Sequence, residues 1–140
     1  MTREQIESAS GRELDAMVAV SVFRWRLSSH PSDLEIARAA ADGSEPQPGP
    51  WWVPPGWKEE FATLDLPHYS RDWAGLGLVV DEMRRRGWSW AISMMGQYGA
   101  ICEFWKEYAL DLHAECTNDL PAVAGCRAAL LALLAEGANR

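Results

Sequence analysis

Proline placement is the feature that most restricts the fold of this 140-residue chain. Six of the eight prolines lie between positions 46 and 67. Because proline lacks a backbone N–H and fixes φ, this segment is unsuited to a long helix or a central strand. The long regular elements must therefore come from the flanking segments. A chain of this length is expected to form one domain over residues 1–140.

One helix is predicted before the proline-rich segment, over residues 11–24. Ser10 and Glu13 have the spacing of a capping box, in which each side chain accepts a hydrogen bond from the other residue's backbone N–H. The residues that follow repeat at helical spacing and predict one buried stripe. This stripe comprises Leu14, Met17, Val18, Ser21, Val22 and Trp25.

A second helix is predicted to begin after Ser70, its N-cap, and to end near residue 86. Tyr69 lies just before the cap, where an aromatic ring can pack on the first turn. Trp73 starts the apolar stripe and is expected to anchor it in the core. Three arginines at 84–86, followed by Gly87, suit the negative end of a helix and its left-handed cap.

Beyond Gly87 the apolar residues alternate, which is typical of strands with two different faces. The turn at 96–99 joins the first two runs into a hairpin. Asn118 or Asp119 is predicted to cap a last helix that has Pro121 in its first turn. The predicted strands cover residues 88–94, 100–105 and 110–116.

The predicted order is helix, long loop, helix, three strands and helix. This order defines an α+β fold, with an antiparallel sheet of three to four strands packed with helices. Within the loop at about 28–68, residues 33–41 are suited to a short helix. Trp51, Trp52 and Trp57 carry apolar area that a disordered segment would not keep, so an ordered loop is expected.

Charge and cysteine content exclude several classes of protein. The formal charge of −7, from 20 acidic and 13 basic residues, disfavours a broad surface for duplex nucleic acid. The three cysteines form no closely spaced pair, so reduced and mostly packed thiols are expected rather than disulfides or a zinc site. The N-terminus does not resemble a signal peptide, and no membrane contact is predicted. A cytoplasmic protein is expected.

Four blocks of the chain, taken in order and at their spacing, resemble the phage ABA-sandwich domain family of small phage-encoded proteins. The blocks are GRELDAMVAVSVFRW, WWVPPGW, LPHYSRDWAGLGLVVDEM and CRAALLALL. The resemblance covers nearly the whole chain and implies an α-β-α sandwich, a phage or prophage origin, and a location in the cytoplasm of a bacterial host. Most members of the family have no assigned activity.

Two arginines depart from the pattern of that family. The family's first helix commonly ends in Met-Gly-Trp, where this chain has Phe23-Arg24-Trp25. Its later block usually reads Tyr-Ser-Thr-Asp, and here Arg71 holds the third place. Arg24 and Arg71 are therefore specific to this chain, and any chemistry that they perform is not supplied by the family pattern.

The segment around Arg71 is the candidate site. Helix N-termini favour anions, the planar guanidinium suits phosphate, and nearby aromatic rings can stack on a base. A packing role explains several of these residues equally well, since Ser70 is also a cap and the tryptophans also anchor a loop. The predicted ligand-binding residues are Arg71, Tyr69, Ser70, Arg24, Trp51 and Trp52.

No catalytic constellation is evident in the sequence. His30, His68 and His113 are dispersed, and none lies in a recognisable nucleophile motif. Alternation on a strand would place His113 on one face with Asp111 and Glu115, where acid-base or metal chemistry is conceivable, although a solvated face explains the same pattern. We predict no enzyme activity, no catalytic or metal-binding residues and no cofactor.

The function expected from these observations is non-catalytic ligand capture. By analogy with small phage proteins that sequester immune signals, the expected ligand is a nucleotide of the cyclic or cyclic ADP-ribose type. The eight tryptophans exceed the needs of one modest core and suggest a homo-oligomer. The alternatives are an acidic phage protein that binds and inhibits a host protein, or a structural or accessory phage protein.

Overall fold

A computed structural model describes residues 1–138 of the chain, apart from the side chain of Leu110. Its helices are α1 (Arg3–Ser8), α2 (Gly11–Ser21), α3 (Asp33–Asp42), α4 (Trp73–Arg85) and α5 (Pro121–Ala138). Its strands are β1 (Arg26–Leu27), β2 (Trp52–Val53), β3 (Ser89–Met94), β4 (Ala100–Lys106) and β5 (Ala109–Asn118). The α+β class and the predicted order of elements are confirmed.

The described chain forms two compact units. The first unit combines residues 1–22 with the chain from residue 67 onward, and the second unit covers Phe23–Leu66. Each unit has its own antiparallel sheet: β3–β4–β5 in the first and β1–β2 in the second. The proline-rich segment predicted as an ordered loop therefore lies in the second unit, which also contains α3 and a 3₁₀ turn at Glu59–Phe61.

Helix α5 is the middle layer of the first unit. It packs on β4 and β5, while α4, α2 and α1 pack against α5. The family resemblance implies instead a sheet with helices on both sides. The physical reason for the difference is composition, because ten residues of α5 between Ala122 and Ala132 are buried, and a helix that is apolar all round must be enclosed.

The length and composition of α5 would also allow it to cross a membrane. Among the described residues it is the one helix that meets this criterion, and 56% of its apolar stretch is buried inside the protein. Because helices and strands of the same unit surround α5, the core helix of a globular fold accounts for its composition.

The register of the sheet assigns each strand residue to one of two faces. Cys102 and Phe104 of β4 are fully buried on the face that α5 covers. Ile101, Glu103 and Trp105 alternate with them and lie on the opposite face, here called the outer face, where they are half-buried. The outer face is therefore where polar side chains of β4 and β5 can meet.

Four local predictions need correction. Ser10 makes no side-chain cap bond, and the capping box lies instead at Thr2 and Gln5, before a helix that the sequence analysis missed. Helix α2 ends at Ser21, so Arg24 lies beyond it, with a left-handed φ of 63°. Asn118 accepts from the Leu120 N–H, one residue before α5 begins, instead of capping that helix itself.

The fourth correction concerns the start of α4. Asp72 is its N-cap, not Ser70, and the helix runs from Trp73 to Arg85. The first side chain of the predicted stripe, Trp73, is 59% exposed rather than anchored in the core. The end of the helix agrees with the prediction, since Gly87 follows with a left-handed φ of 90°.

Candidate functional site

A cleft of about 230 Å³ lies where the N-termini of α4 and α5 meet. Arg71, Asp72 and Trp73 line one side of this cleft, which we call the Arg71 cleft, and Leu120 to Ala122 line the other. Trp73 and Leu120 are more than half exposed, so the cleft offers accessible apolar surface next to a guanidinium. Its volume is slightly below the range typical of enclosing pockets, about 300–1,000 Å³. A ligand in this cleft would remain partly solvated.

The charged side chains that line the cleft are one base, Arg71, and one acid, Asp72. The Asp72 carboxylate accepts from the Gly75 N–H at 2.9 Å, and this bond, together with the Arg71 charge, lowers the pKa of Asp72. The Arg71 guanidinium lies 3.6 Å from the same carboxylate, and both side chains are largely exposed. Exposed ion pairs of this kind are weak, so Arg71 can exchange this partner for a ligand anion.

The two helix ends differ in the donors that they leave available. Asp72 caps α4, whereas α5 follows Leu120, whose apolar side chain cannot accept a hydrogen bond. The first backbone N–H groups of any helix lack an acceptor within that helix. Pro121 has no N–H and the Leu120 N–H donates to Asn118, so the start of α5 can offer the cleft its positive dipole and the N–H groups of Ala122 and Val123.

Ser70 and Tyr69 lie beside this cleft in sequence but are buried. The Ser70 hydroxyl donates to Asp15 Oδ1 at 2.8 Å, and the Ser70 backbone N–H donates to the same oxygen at 2.8 Å. Tyr69 is 2% exposed. Both residues are held in the interior of the first unit, so a ligand in the Arg71 cleft would not contact them as they lie.

The other predicted ligand-binding residues belong to the second unit. Trp51 and Trp52 are buried, and Trp51 packs with Val53, Ala62 and Leu64 in the small core of this unit. The Trp51 indole donates to the Gln47 carbonyl at 3.0 Å. Both residues therefore have a packing role, which the sequence left open beside a role in ligand binding. Arg24 is exposed.

Trp51 also lines a larger cleft of about 530 Å³ within the second unit, together with Arg38 and Glu35. Arg38 is already paired with Glu35 and, at 2.8 Å, with Asp42, and these two carboxylates raise its pKa. Because Arg38 already has two acidic partners, and because Asp65 lines the cleft beside Glu35, this cleft is poorly suited to an anion. The Arg71 cleft, by contrast, is lined by one arginine and one acid, Asp72.

Three titratable side chains, Glu103, His113 and Glu115, lie together on the outer face of the first unit's sheet. The spacing of residues in the sequence does not predict this cluster. Glu103 on β4 lies directly opposite Glu115 on β5, and His113 Nε2 is 3.0 Å from Glu103 Oε2. Alternation along β5 predicts that His113 shares a face with Asp111 and Glu115 only. Glu103 was missed because its neighbour comes from the register between two strands, which the spacing within one strand does not contain.

Cys102, Cys116 and Cys126 are free thiols, and Cys102 and Cys126 are buried. Burial raises the pKa of Cys102 to about 12, and burial also raises the pKa values of Cys126 and Cys116. Cysteine reactivity depends on the thiolate, so these environments do not create a nucleophile.

Comparison of the chain with protein-family models, with curated proteins and with solved structures gave no match. The resemblance to the phage ABA-sandwich family therefore stays a prediction. The same holds for cytoplasmic location, self-association and the absence of enzyme activity.

Proposed function

We propose that this protein is a non-catalytic binding protein that holds a small, anionic, nucleotide-like ligand in the Arg71 cleft. The observation that carries this proposal is the juxtaposition of Arg71, the exposed ring of Trp73 and the N-terminus of α5 around one concave surface. A guanidinium and helix N–H groups bind phosphate, and an indole stacks on a base.

Ligand capture without turnover is supported by the side chains that line the cleft. Apart from Arg71 and Asp72, the lining residues are Trp73, Leu120, Pro121 and Ala122, which carry no nucleophile or general base. Asp72 is engaged as a helix cap. On the resemblance to phage proteins, the ligand would be a host nucleotide signal, such as a cyclic nucleotide or a cyclic ADP-ribose isomer, and the protein would act as a sponge for it.

A thermal-shift panel tests this proposal directly. The purified protein is melted with cyclic dinucleotides, cyclic trinucleotides and cyclic ADP-ribose isomers, since a ligand at 100 times its Kd adds about 2.7 kcal/mol to the free energy of unfolding. We expect a selective rise in Tm, with the compound recovered intact after denaturation. A compound recovered in altered form would contradict capture without turnover.

Two variants locate the site, and a third serves as control. Arg71→Ala and Trp73→Ala are expected to abolish the shift. Arg85→Ala is the matched control, because Arg85 is also exposed and paired with an acid, at 2.7 Å from Glu82, but lies at the other end of α4. An undiminished shift in Arg71→Ala would show that the ligand binds elsewhere, and no shift with any compound would refute the nucleotide ligand.

A second candidate function is docking on a host protein, and the aromatic residues of the second unit favour it. Trp57 and Phe61 are 55% and 54% exposed, and their rings meet edge to face with centroids 5.4 Å apart. Exposed aromatic side chains are enriched at binding hot spots. In this case, the double variant Trp57→Ser, Phe61→Ser would lose a host protein captured from a bacterial extract, while Arg71→Ala would retain it.

A further inference from the structure

The outer face of the sheet brings together three side chains that are common metal ligands. Glu103 and Glu115 are directly paired across β4 and β5, and His113 lies two residues from Glu115 on the same face. One ligand atom from each residue lies within 4.8 Å of the others. These positions belong to paired strands, so the sheet's own hydrogen bonds hold the three Cα atoms in place.

The charge of this face favours a cation. Like charges directly opposite each other destabilise an antiparallel pair, and Glu103 and Glu115 stand in that relation. No lysine or arginine occupies the other paired positions of this face on the described strands. These positions are Ser89, Ala91, Ser93, Ile101, Trp105 and Thr117. A divalent cation between the two carboxylates would attract both of them and so offset their mutual repulsion.

The geometry is within reach of metal coordination. A bound Zn²⁺ lies about 2.0–2.2 Å from nitrogen and oxygen ligands, which in tetrahedral coordination places those ligand atoms about 3.3–3.6 Å apart. His113 Nε2 and Glu103 Oε2 are already 3.0 Å apart. The side chains of Glu103, His113 and Glu115 are partly exposed, so the glutamates have room to change rotamer around a bound ion.

We propose that Glu103, His113 and Glu115 form a binding site for a divalent transition-metal ion, a function separate from the Arg71 cleft. One imidazole nitrogen with two carboxylates suits Zn²⁺ and its neighbours better than Mg²⁺ or Ca²⁺, which prefer all-oxygen sets. Three protein ligands leave at least one coordination position for water.

The chain contains a matched control for this site. In the second unit, His30 Nε2 lies 3.0 Å from Glu59 Oε2, at the same distance and with similar exposure as the His113–Glu103 pair. Among the described residues, no third His, Cys, Asp or Glu joins that pair in the way that Glu115 joins the pair on the sheet. If three ligands make the site, the His30 pair binds metal much more weakly.

The test is calorimetric titration of the untagged protein with ZnCl₂. Cys116 is half-buried and thiolates also bind zinc, so the titration is repeated in Cys116→Ser. We expect one equivalent of Zn²⁺ to bind in both proteins, His113→Ala and Glu115→Gln to weaken binding by about tenfold or more, and His30→Ala to leave it unchanged.

Two results would overturn this inference. One is the absence of zinc binding by the wild type at millimolar metal. The other is equal affinity in His113→Ala and the wild type. Because Glu103, His113 and Glu115 are at least partly exposed, their variants are expected to fold, and circular dichroism at each titration condition verifies this. Failure here would leave the thermal-shift test of the Arg71 cleft unaffected, since the two sites share no residue.

Discussion

At the scale of single residues, Asp15 is the most deeply buried charged side chain in the described part of the first unit. It is 1% exposed, and its carboxylate accepts from the Ser70 N–H and hydroxyl and, at 2.9 Å, from Arg12. A buried carboxylate is tolerated only when donors satisfy it. These bonds link α2 to the segment that precedes α4, so Asp15 sets the position of the Arg71 cleft indirectly.

Replacing Asp15 with alanine is expected to lower the free energy of unfolding by about 1–3 kcal/mol, because the buried Ser70 N–H would lose its acceptor and the Ser70 hydroxyl would keep only its 3.3 Å bond to the Gly11 carbonyl. Chemical denaturation of the variant and the wild type measures the difference. Glu13→Ala is the control, since Glu13 is an exposed acid in the first turn of the same helix and its loss should cost less than about 0.5 kcal/mol. Equal effects of the two substitutions would contradict the role given to Asp15.

At the scale of elements, close backbone approach determines how α4 fits its surroundings. A Cβ on Gly75 would lie 2.4 Å from the His68 carbonyl oxygen and 2.6 Å from that of Tyr69. The chain before α4 therefore passes directly over Gly75, and no side chain fits between them. Gly125 of α5 differs, since its Cβ would lie 2.2 Å from Leu76 Cδ1 of α4, the end of a side chain that can rotate away.

Gly75 and Gly77 form a natural pair for a test, because they are in the same helix but have different surroundings. A Cβ on Gly77 would meet no heavy atom within 4 Å, so Gly77→Ala is expected to stabilise the protein by about 0.5–1 kcal/mol through helix propensity. Gly75→Ala should instead destabilise it by about 2 kcal/mol or more, since backbone atoms must shift.

Urea denaturation of the two alanine variants beside the wild type gives both differences. Changes of the same sign at Gly75 and Gly77 would show that propensity, and not the contact with residues 68 and 69, decides the effect.

At the scale of the whole molecule, the buried thiols make stability depend on pH in the alkaline range. Burial raises the pKa of Cys102 from 9.0 to about 12, and raises that of Cys126 as well. Above pH 9 the unfolded chain loses these protons while the folded chain keeps them. Stability is therefore fully present below pH 9 and falls as the pH rises toward the pKa of the folded state.

The expected slope is about 1.4 kcal/mol per pH unit for each buried thiol. We predict that the free energy of unfolding falls more steeply between pH 9 and pH 11 in the wild type than in the double variant Cys102→Ala, Cys126→Ala. Tyrosines and lysines titrate in both proteins, so the comparison isolates the thiols. Parallel pH profiles would show that the two thiols have the same pKa in the folded state as in the unfolded state.

For the candidate sites, the sequence predicted which residue types are involved better than it predicted whether their side chains are buried or exposed. Arg71 was identified from its place near a helix start, and it does line a cleft. The apolar stripe predicts Trp73 in the core, yet its position in the first turn of α4 leaves it exposed. A stripe gives the direction of a side chain around the helix axis, but it does not show where the neighbouring layer ends.

The sequence by itself determined the class of the fold and the order of its elements, because the helical and two-residue periods are local properties of the chain. Tertiary structure alone decided that α5 is the middle layer, that Ser70 binds Asp15 rather than capping α4, and that Glu103 faces Glu115. These relations join residues far apart in the chain. Their energy depends on which layers enclose a helix and which register two strands adopt, and neither quantity is contained in the spacing of residues within one element.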